Sequence, residues 1–411
     1  MPWRRSLLFL VLCTATVSAA DWPQWLGPNR DCSSPEIVVP WKAPLKVLWH
    51  KPVGDGHSSP VVAAGKVFLH TKVADKDKEE ISAYDAKTGE LLWHTAYDRP
   101  SFFSVFGVGP QATPAVADGR VYTYGVTGIL GCFDAADGKE RWRIDALKEL
   151  KAKNLFFGAA CSPLVDDGKV YVAVGGGGAS VVAFKTDDGE VAWKNLDAPA
   201  SYSSPILFGK DKDRQLLFLT GAGLASLNPA NGKVFWQFPV KDEANENSAT
   251  PVHTGDTLLA STVNFGGVAL KLETTEGKPA ATKAWKNPDL TCYFSTPVAV
   301  GSEQIYMVTG QFGLLAATST LRCVETKTGR ELWKKEKVGK YHAALLRTGD
   351  DKLLMLDDFG NLTLLDPDPK EYKELSRSKV CGATWAHPAL SDGRVYLRDD
   401  KELICVEVSA K

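Results

Sequence analysis

One nine-residue signature recurs along this chain and sharply limits the folds open to it. It is clearest at Asp85-Ala86-Lys87-Thr88-Gly89-Glu90-Leu91-Leu92-Trp93. It returns from Asp134 to Trp142, Lys185 to Trp193, Asn228 to Trp236 and Glu325 to Trp333, the Lys185 copy departing at its first position. In each copy a Gly stands four residues before the Trp. Thr275-Glu276-Gly277 with Trp285 is a looser copy carrying a four-residue insertion. A second signature precedes each of these: a small residue, Pro, then apolar residues. It stands at Ser59-Pro60, Thr113-Pro114, Ser162-Pro163, Ser204-Pro205, Thr250-Pro251 and Thr296-Pro297, with weaker copies at His342-Ala343 and His387-Pro388. That makes eight units, spaced by roughly 45 residues. Self-similarity at such a period marks a propeller or a solenoid.

The physics of one unit selects the propeller. A short apolar strand follows the Pro, then a turn such as Asp118-Gly119 or Asp167-Gly168. Next come alternating strands such as Val170 to Ala173 and Val181 to Phe184. The acidic or amide residue of the signature bonds nearby backbone N–H groups, and its Gly takes φ > 0. A fourth strand carries the Trp, whose ring is expected to pack on the next unit's turn. Four short strands per unit predict an all-β, eight-bladed β-propeller of four-stranded antiparallel blades. The last unit, from about Trp385, has only three strands of its own. Lys46 to Lys51 resembles the Trp-bearing strand, so an N-terminal strand is expected to close the ring and remove its open edges.

Three segments are expected: a signal peptide at 1–20, an N-terminal extension at 21–44 and the propeller at 45–411. Arg4 and Arg5 precede an apolar run that ends in Val17-Ser18-Ala19-Ala20, the pattern of an export signal cleaved before about Asp21. The run is shorter than a membrane span of about 20 residues. Leu12 precedes Cys13, which argues against a lipid anchor at that Cys. A periplasmic or extracellular protein, at most peripheral to a membrane and monomeric, is therefore expected. Seven further Cys residues include no C-x-x-C, so buried free thiols are the default, with one or two disulfides left open. Lys and Arg total 48 against 49 Asp and Glu, a balance that argues against nucleic-acid binding.

The Asp-x-x-Thr-Gly-x-x-x-Trp pattern resembles the repeat of pyrroloquinoline-quinone-like (PQQ-repeat) β-propellers, over about residues 45–408. Asp21-Trp22-Pro23-Gln24-Trp25-Leu26-Gly27-Pro28-Asn29-Arg30 is similar to the start of many secreted bacterial members. The resemblance implies one of two functions. One branch comprises quinoprotein dehydrogenases, which hold a planar quinone and Ca²⁺ in the funnel, floored by a Trp and often capped by an adjacent Cys–Cys disulfide. The other comprises scaffolds such as the BamB-type lipoprotein of outer-membrane barrel assembly. This chain has no Cys–Cys pair and no c-type haem motif, though Trp385 stands where a funnel floor is possible. Gly175-Gly176-Gly177-Gly178 lacks a following Lys-Ser/Thr and reads as a strand connection; Gly221-Ala222-Gly223 reads as a hairpin turn. No H-E-x-x-H or G-x-S-x-G spacing occurs. No catalytic residue and no metal ligand is assigned.

Residues just before each Pro signature should crowd one mouth of the channel: His57, Gln111, Cys161, Tyr202, Asn247, Tyr293, Phe294, Tyr341, His342, Trp385 and His387. They are candidates for holding a small ligand or a peptide, or they bond one another around a narrow channel. Two long connections are aromatic. Tyr97 to Gly109 carries Phe102, Phe103 and Phe106, and Asn154 to Gly158 carries Phe156 and Phe157. They either dock a partner or fold inward as a plug. The charge runs Asp75 to Glu80 and Lys334 to Lys340 read as exposed hairpin tips, and Asp357-Asp358 and Asp366-Pro367-Asp368 as solvated turns. The function expected is an exported non-catalytic scaffold binding envelope proteins or peptides without a cofactor, in outer-membrane protein assembly. The alternative is a quinone-dependent oxidoreductase or quinone sensor using PQQ with Ca²⁺; a carbohydrate or small-ligand module is a third class.

Overall fold

The computed structural model describes residues 21–243, 246–310 and 318–408. The expected signal segment, with Cys13, lies outside them. Among the described residues the strands form eight four-stranded antiparallel sheets. Blade one contains Val61–Ala63, Lys66–Lys72, Lys78–Asp85 and Leu91–Asp98, paired in that order. First strands of neighbouring blades pack on one another around the axis, and blade eight's meets blade one's. Val47–Pro52 pairs with Glu402–Glu407, so the N-terminal strand supplies the outer strand of blade eight as expected.

Both signatures have a visible physical role. In the turn, Asp85 Oδ1 accepts from the N–H groups of Lys87 and Thr88 at 2.9 and 2.8 Å. The Gly then sits under the Trp of the preceding blade. A Cβ at Gly138, where φ is +75°, would lie 2.3 Å from the Trp93 ring. The Trp indole N–H also crosses to the next blade's turn: Trp142 donates to the Thr186 carbonyl at 2.8 Å and Trp193 to that of Pro229 at 2.9 Å. The small residue before the Pro is Ser or Thr for a reason that strand patterning does not reveal. The Ser59 N–H donates to Thr113 Oγ1, the Thr113 N–H to Ser162 Oγ and the Ser162 N–H to Ser204 Oγ. The His387 N–H donates to Ser59 Oγ, which joins blade eight to blade one. Buried N–H groups at the tops of the inner strands are thus satisfied across blade boundaries.

Several expectations need correction. Asp357 and Asp358 are buried, not solvated. Asp357 Oδ1 accepts from the N–H groups of Phe359 and Asn361, and Asp358 accepts from the N–H groups of Lys340, Tyr341 and His342. A carboxylate bonded by several backbone donors can afford to leave solvent. Only Asp75 to Asp77 form an exposed tip in the Asp75 to Glu80 run, because Glu79 lies in a strand and is buried. Lys334 to Lys340 is no tip: it falls mostly in the outer strand Glu331–Gly339. The insertion in blade five lengthens the hairpin Gly266–Thr275 and Lys278–Asn287 and carries its turn outward. Nothing lies within 4 Å of a Cβ built at Gly277, so Trp236 has no Gly seat. Its indole N–H bonds Gln215 of its own blade instead, at 2.9 Å.

The segment before Val47 is the hub of the ring. The backbone of Trp22 exchanges both bonds with Val62 of blade one, and the Pro23 carbonyl accepts from the Val116 N–H of blade two. The buried Arg30 donates to the carbonyls of Ser162, Pro163 and Pro205, in blades three and four. Burial pulls its guanidinium pKa down to about 9. Trp25 donates to Thr250 Oγ1 of blade five, and the Ser34 N–H to the Arg347 carbonyl of blade seven. Leu26 and Cys32 pack with Val298 of blade six, and Glu36 caps the Asp392–Gly393 turn of blade eight. The chain then runs outward, where Trp41 bonds Ser376 and Ser378 on the outer strand of blade seven. The seven Cys residues described are buried and free.

Candidate functional site

The mouth of the ring is built by two aromatic loops held on short polar tethers. His57 Nε2 donates to the Phe106 carbonyl at 2.6 Å, and Gln111 Nε2 donates to the Phe157 carbonyl at 2.6 Å. The Phe157 N–H donates to the Tyr202 hydroxyl at 3.2 Å. Phe106 and Phe157 therefore turn inward, with ring centroids 5.3 Å apart. Trp385 stands among Phe294, His57 and Phe106, at centroid distances of 5.0, 5.3 and 5.7 Å. Tyr341 meets it edge-on, positioned by the Asp358 bonds to its strand entry. The loop tips turn outward: Phe103 is 80%, Val105 72% and Phe156 76% exposed.

A buried polar cluster fixes the first loop. Tyr97, expected in the loop, ends a strand and is buried. Its hydroxyl donates to Glu79 Oε2 at 2.9 Å, and His70 Nε2 lies 2.7 Å from that hydroxyl. Glu79 Oε1 accepts from the Val126 N–H of blade two and lies 3.7 Å from Arg99 Nε. Arg99 then donates to the carbonyls of Pro100 and Val108, the two ends of the loop. Burial pushes the Glu79 carboxyl up, while the Val126 amide, the Tyr97 hydroxyl and Arg99 pull it down. Burial holds His70 neutral, at a pKa of about 3.

Beneath the loops lies a cavity of about 120 Å³, walled by Trp25, His57, Phe106, Phe157, Tyr202, Tyr293, Phe294 and Trp385. Glu246 brings the one carboxylate among the described lining residues, and no Lys or Arg lines it. Burial, then the neighbouring Glu246, raises the pKa of the Tyr293 hydroxyl. Burial lowers the His57 pKa, so its ring is neutral at pH 7. Of the other predicted residues, Asn247 is buried behind the wall, where its carbonyl accepts from the N–H groups of Tyr202 and Ser203. His342 and His387 are buried with ring centroids 5.7 Å apart, and His387 packs edge-on against Trp25. Cys161 is buried and accepts from the Ala173 N–H.

A family model described as outer membrane protein assembly factor BamB matches residues 35–102, 77–334 and 317–411. The chain belongs to this family. The BamB of Burkholderia pseudomallei is 26% identical over 321 residues, which cover 74% of this chain and 73% of that one. The crystal structure of BamB from Moraxella catarrhalis aligns with a TM-score of 0.62 at 15% identity, covering 88% of this chain and 99% of that one. A quinohemoprotein alcohol dehydrogenase from Comamonas testosteroni aligns with a TM-score of 0.63 at 13% identity, covering 95% and 81%. At those identities the two structures carry the fold alone.

The mouth of this BamB-family ring does not fit a quinone cofactor of the PQQ type. Such a quinone is a fused planar system bearing several carboxylates. The cavity is small against the roughly 300–1,000 Å³ of ordinary ligand pockets. Its described lining offers a carboxylate and no cation. Trp385 is crowded by Phe294, His57 and Phe106 at centroid distances of 5.0, 5.3 and 5.7 Å, which narrows the space for a second plane beside it. Among the described residues no group of three or more His, Cys, Asp or Glu is placed to hold a metal ion. No helix among them is long and apolar enough to cross a membrane. Sequence reasoning missed Trp25, Glu246, Asp358 and the Glu79 cluster. Glu246 adjoins the named Asn247, and Trp25 stands in the opening motif, but no spacing marked either.

Proposed function

We propose that this protein is a non-catalytic, cofactor-free scaffold of the bacterial envelope that docks protein or peptide segments at the aromatic mouth, in outer-membrane protein assembly. The observation that carries this is the pairing of exposed apolar tips with buried tethers. Phe103, Val105 and Phe156 face solvent, while Glu79, Arg99, His57 and Gln111 hold their loops in place. Apolar side chains held out on ordered loops lower the entropy cost of binding. Membership of the BamB family, whose relatives are outer-membrane protein assembly factors, supplies the assembly context.

A photo-crosslinking residue placed at Phe103 or Phe156 of the full chain, expressed in a bacterial envelope, tests this. Defined protein adducts are expected from both positions. The same probe at Asp118, an exposed turn at the far end of an inner strand, serves as the control. Adducts from Asp118 alone, or from none of the three, would overturn the proposal.

A further inference from the structure

The mouth cavity has a charge arrangement that the loop tethers do not explain. Glu246 is half-buried, and among the described lining residues no cation shares the wall with it. His57 is neutral and spends its Nε2 proton on the Phe106 carbonyl. The remaining wall is largely aromatic, and aromatic faces carry negative potential. A carboxylate among such faces creates a field that a positive guest relieves, and partial desolvation strengthens the attraction. The cavity of about 120 Å³ equals about four water volumes in the liquid. That suits an ammonium or guanidinium head with its last methylenes and is too small for a fused ring system.

We infer that the cavity receives the cationic head of a Lys or Arg side chain presented by a peptide segment, whose flanking apolar side chains rest on Phe103, Val105 and Phe156. The inference rests on the docking function proposed above and names its chemistry. The apolar tips rimming a negative, aromatic pocket favour a cation carried on an apolar peptide over a free metal ion or a free amine. Long cationic side chains suit this arrangement because their stems are apolar and their heads charged.

The test uses the purified full chain and two probes, acetyl-Ser-Leu-Arg-Leu-Ser-amide and the same peptide with Gln in place of Arg. Binding is followed by calorimetry and by Trp fluorescence, to which the lining residues Trp25 and Trp385 respond. The Arg peptide is expected to bind about tenfold more tightly than the Gln peptide. Glu246→Gln is expected to remove most of that preference without changing the melting temperature. Glu246→Lys is expected to turn the preference towards a Glu-bearing peptide. Equal binding of the Arg and Gln peptides, unaffected by Glu246→Gln, overturns the cation inference and leaves peptide docking standing. Failure of every peptide also overturns it, and crosslinking from Phe103 then judges the docking proposal alone.

Discussion

The rim of this ring and its hub are built on opposite rules. At the rim one joint is written many times: a Trp of one blade lies over the Gly turn of the next and bonds a carbonyl there. Trp142 over Gly189 and Trp193 over Gly232 are two instances. At the hub nothing repeats. Trp22, Pro23 and Trp25 each meet a different blade and Arg30 meets two more, through contacts found nowhere else in the ring. Redundancy lets the rim absorb a defect. Between blades four and five the Gly seat is gone, yet Trp236 and Phe238 still pack with Leu272 and Ala281. A contact made once has no spare.

The largest effect separates a seated Trp from the unseated one. Trp142→Ala is expected to cost about 3–5 kcal/mol, the range for a buried large aromatic, while Trp236→Ala costs about 1–2 kcal/mol. Urea denaturation of both variants measures this, and equal losses would erase the distinction.

Acid should then act on the buried histidines, of which His387 packs on the hub residue Trp25. Burial depresses His387 and holds His342 at a pKa of about 4, against an ordinary value of 6.5. A depressed folded-state pKa means stability that is present above pH 6.5 and lost as pH falls towards 4. The loss is on the order of 3 kcal/mol for His342. His342→Gln should flatten that acid limb, whereas Trp142→Ala should lower the whole stability curve and keep its slope. An unchanged limb in His342→Gln would show that this buried histidine does not control it.

The smallest test isolates the seat itself. Gly138→Ala suffers both a left-handed backbone and the Trp93 ring, and should cost about 2–3 kcal/mol. Gly277→Ala has a similar φ of +72° with open space around it, and should cost about 1 kcal/mol. Matching melting temperatures would mean that the ring contact adds nothing.

This contrast also explains what could be read from the residues. The eight-bladed fold, the Trp-to-turn contact and closure by Val47–Pro52 follow from patterns that occur many times. The hub and the mouth follow from residues that occur once. Arg30 meets carbonyls more than a hundred residues away, and periodicity is silent about such partners. Glu79 and Asp358 misled for another reason. Acidic residues in charged or turn-like stretches ordinarily face water, and it takes donors from elsewhere in the chain, such as Val126 N–H for Glu79 and Tyr341 N–H for Asp358, to stabilise them when buried. The aromatic loops were legible as a choice between docking and plugging. The structure divides that choice within each loop, because His57 and Gln111 draw one Phe of each inward.

The closing of blade eight by Val47–Pro52 and Glu402–Glu407 carries a consequence for how the molecule comes into being. The earliest strand made finds its partner only when the latest is complete. Until then the hub residues Trp22 and Leu26 have no finished cradle, and two raw sheet edges stay open to any neighbouring chain. Pairing over so long a span makes folding slow and nearly all-or-none. A chain halted before Glu402 would lack the partner of Val47–Pro52 and keep both edges open, the surfaces on which strand-to-strand aggregation starts.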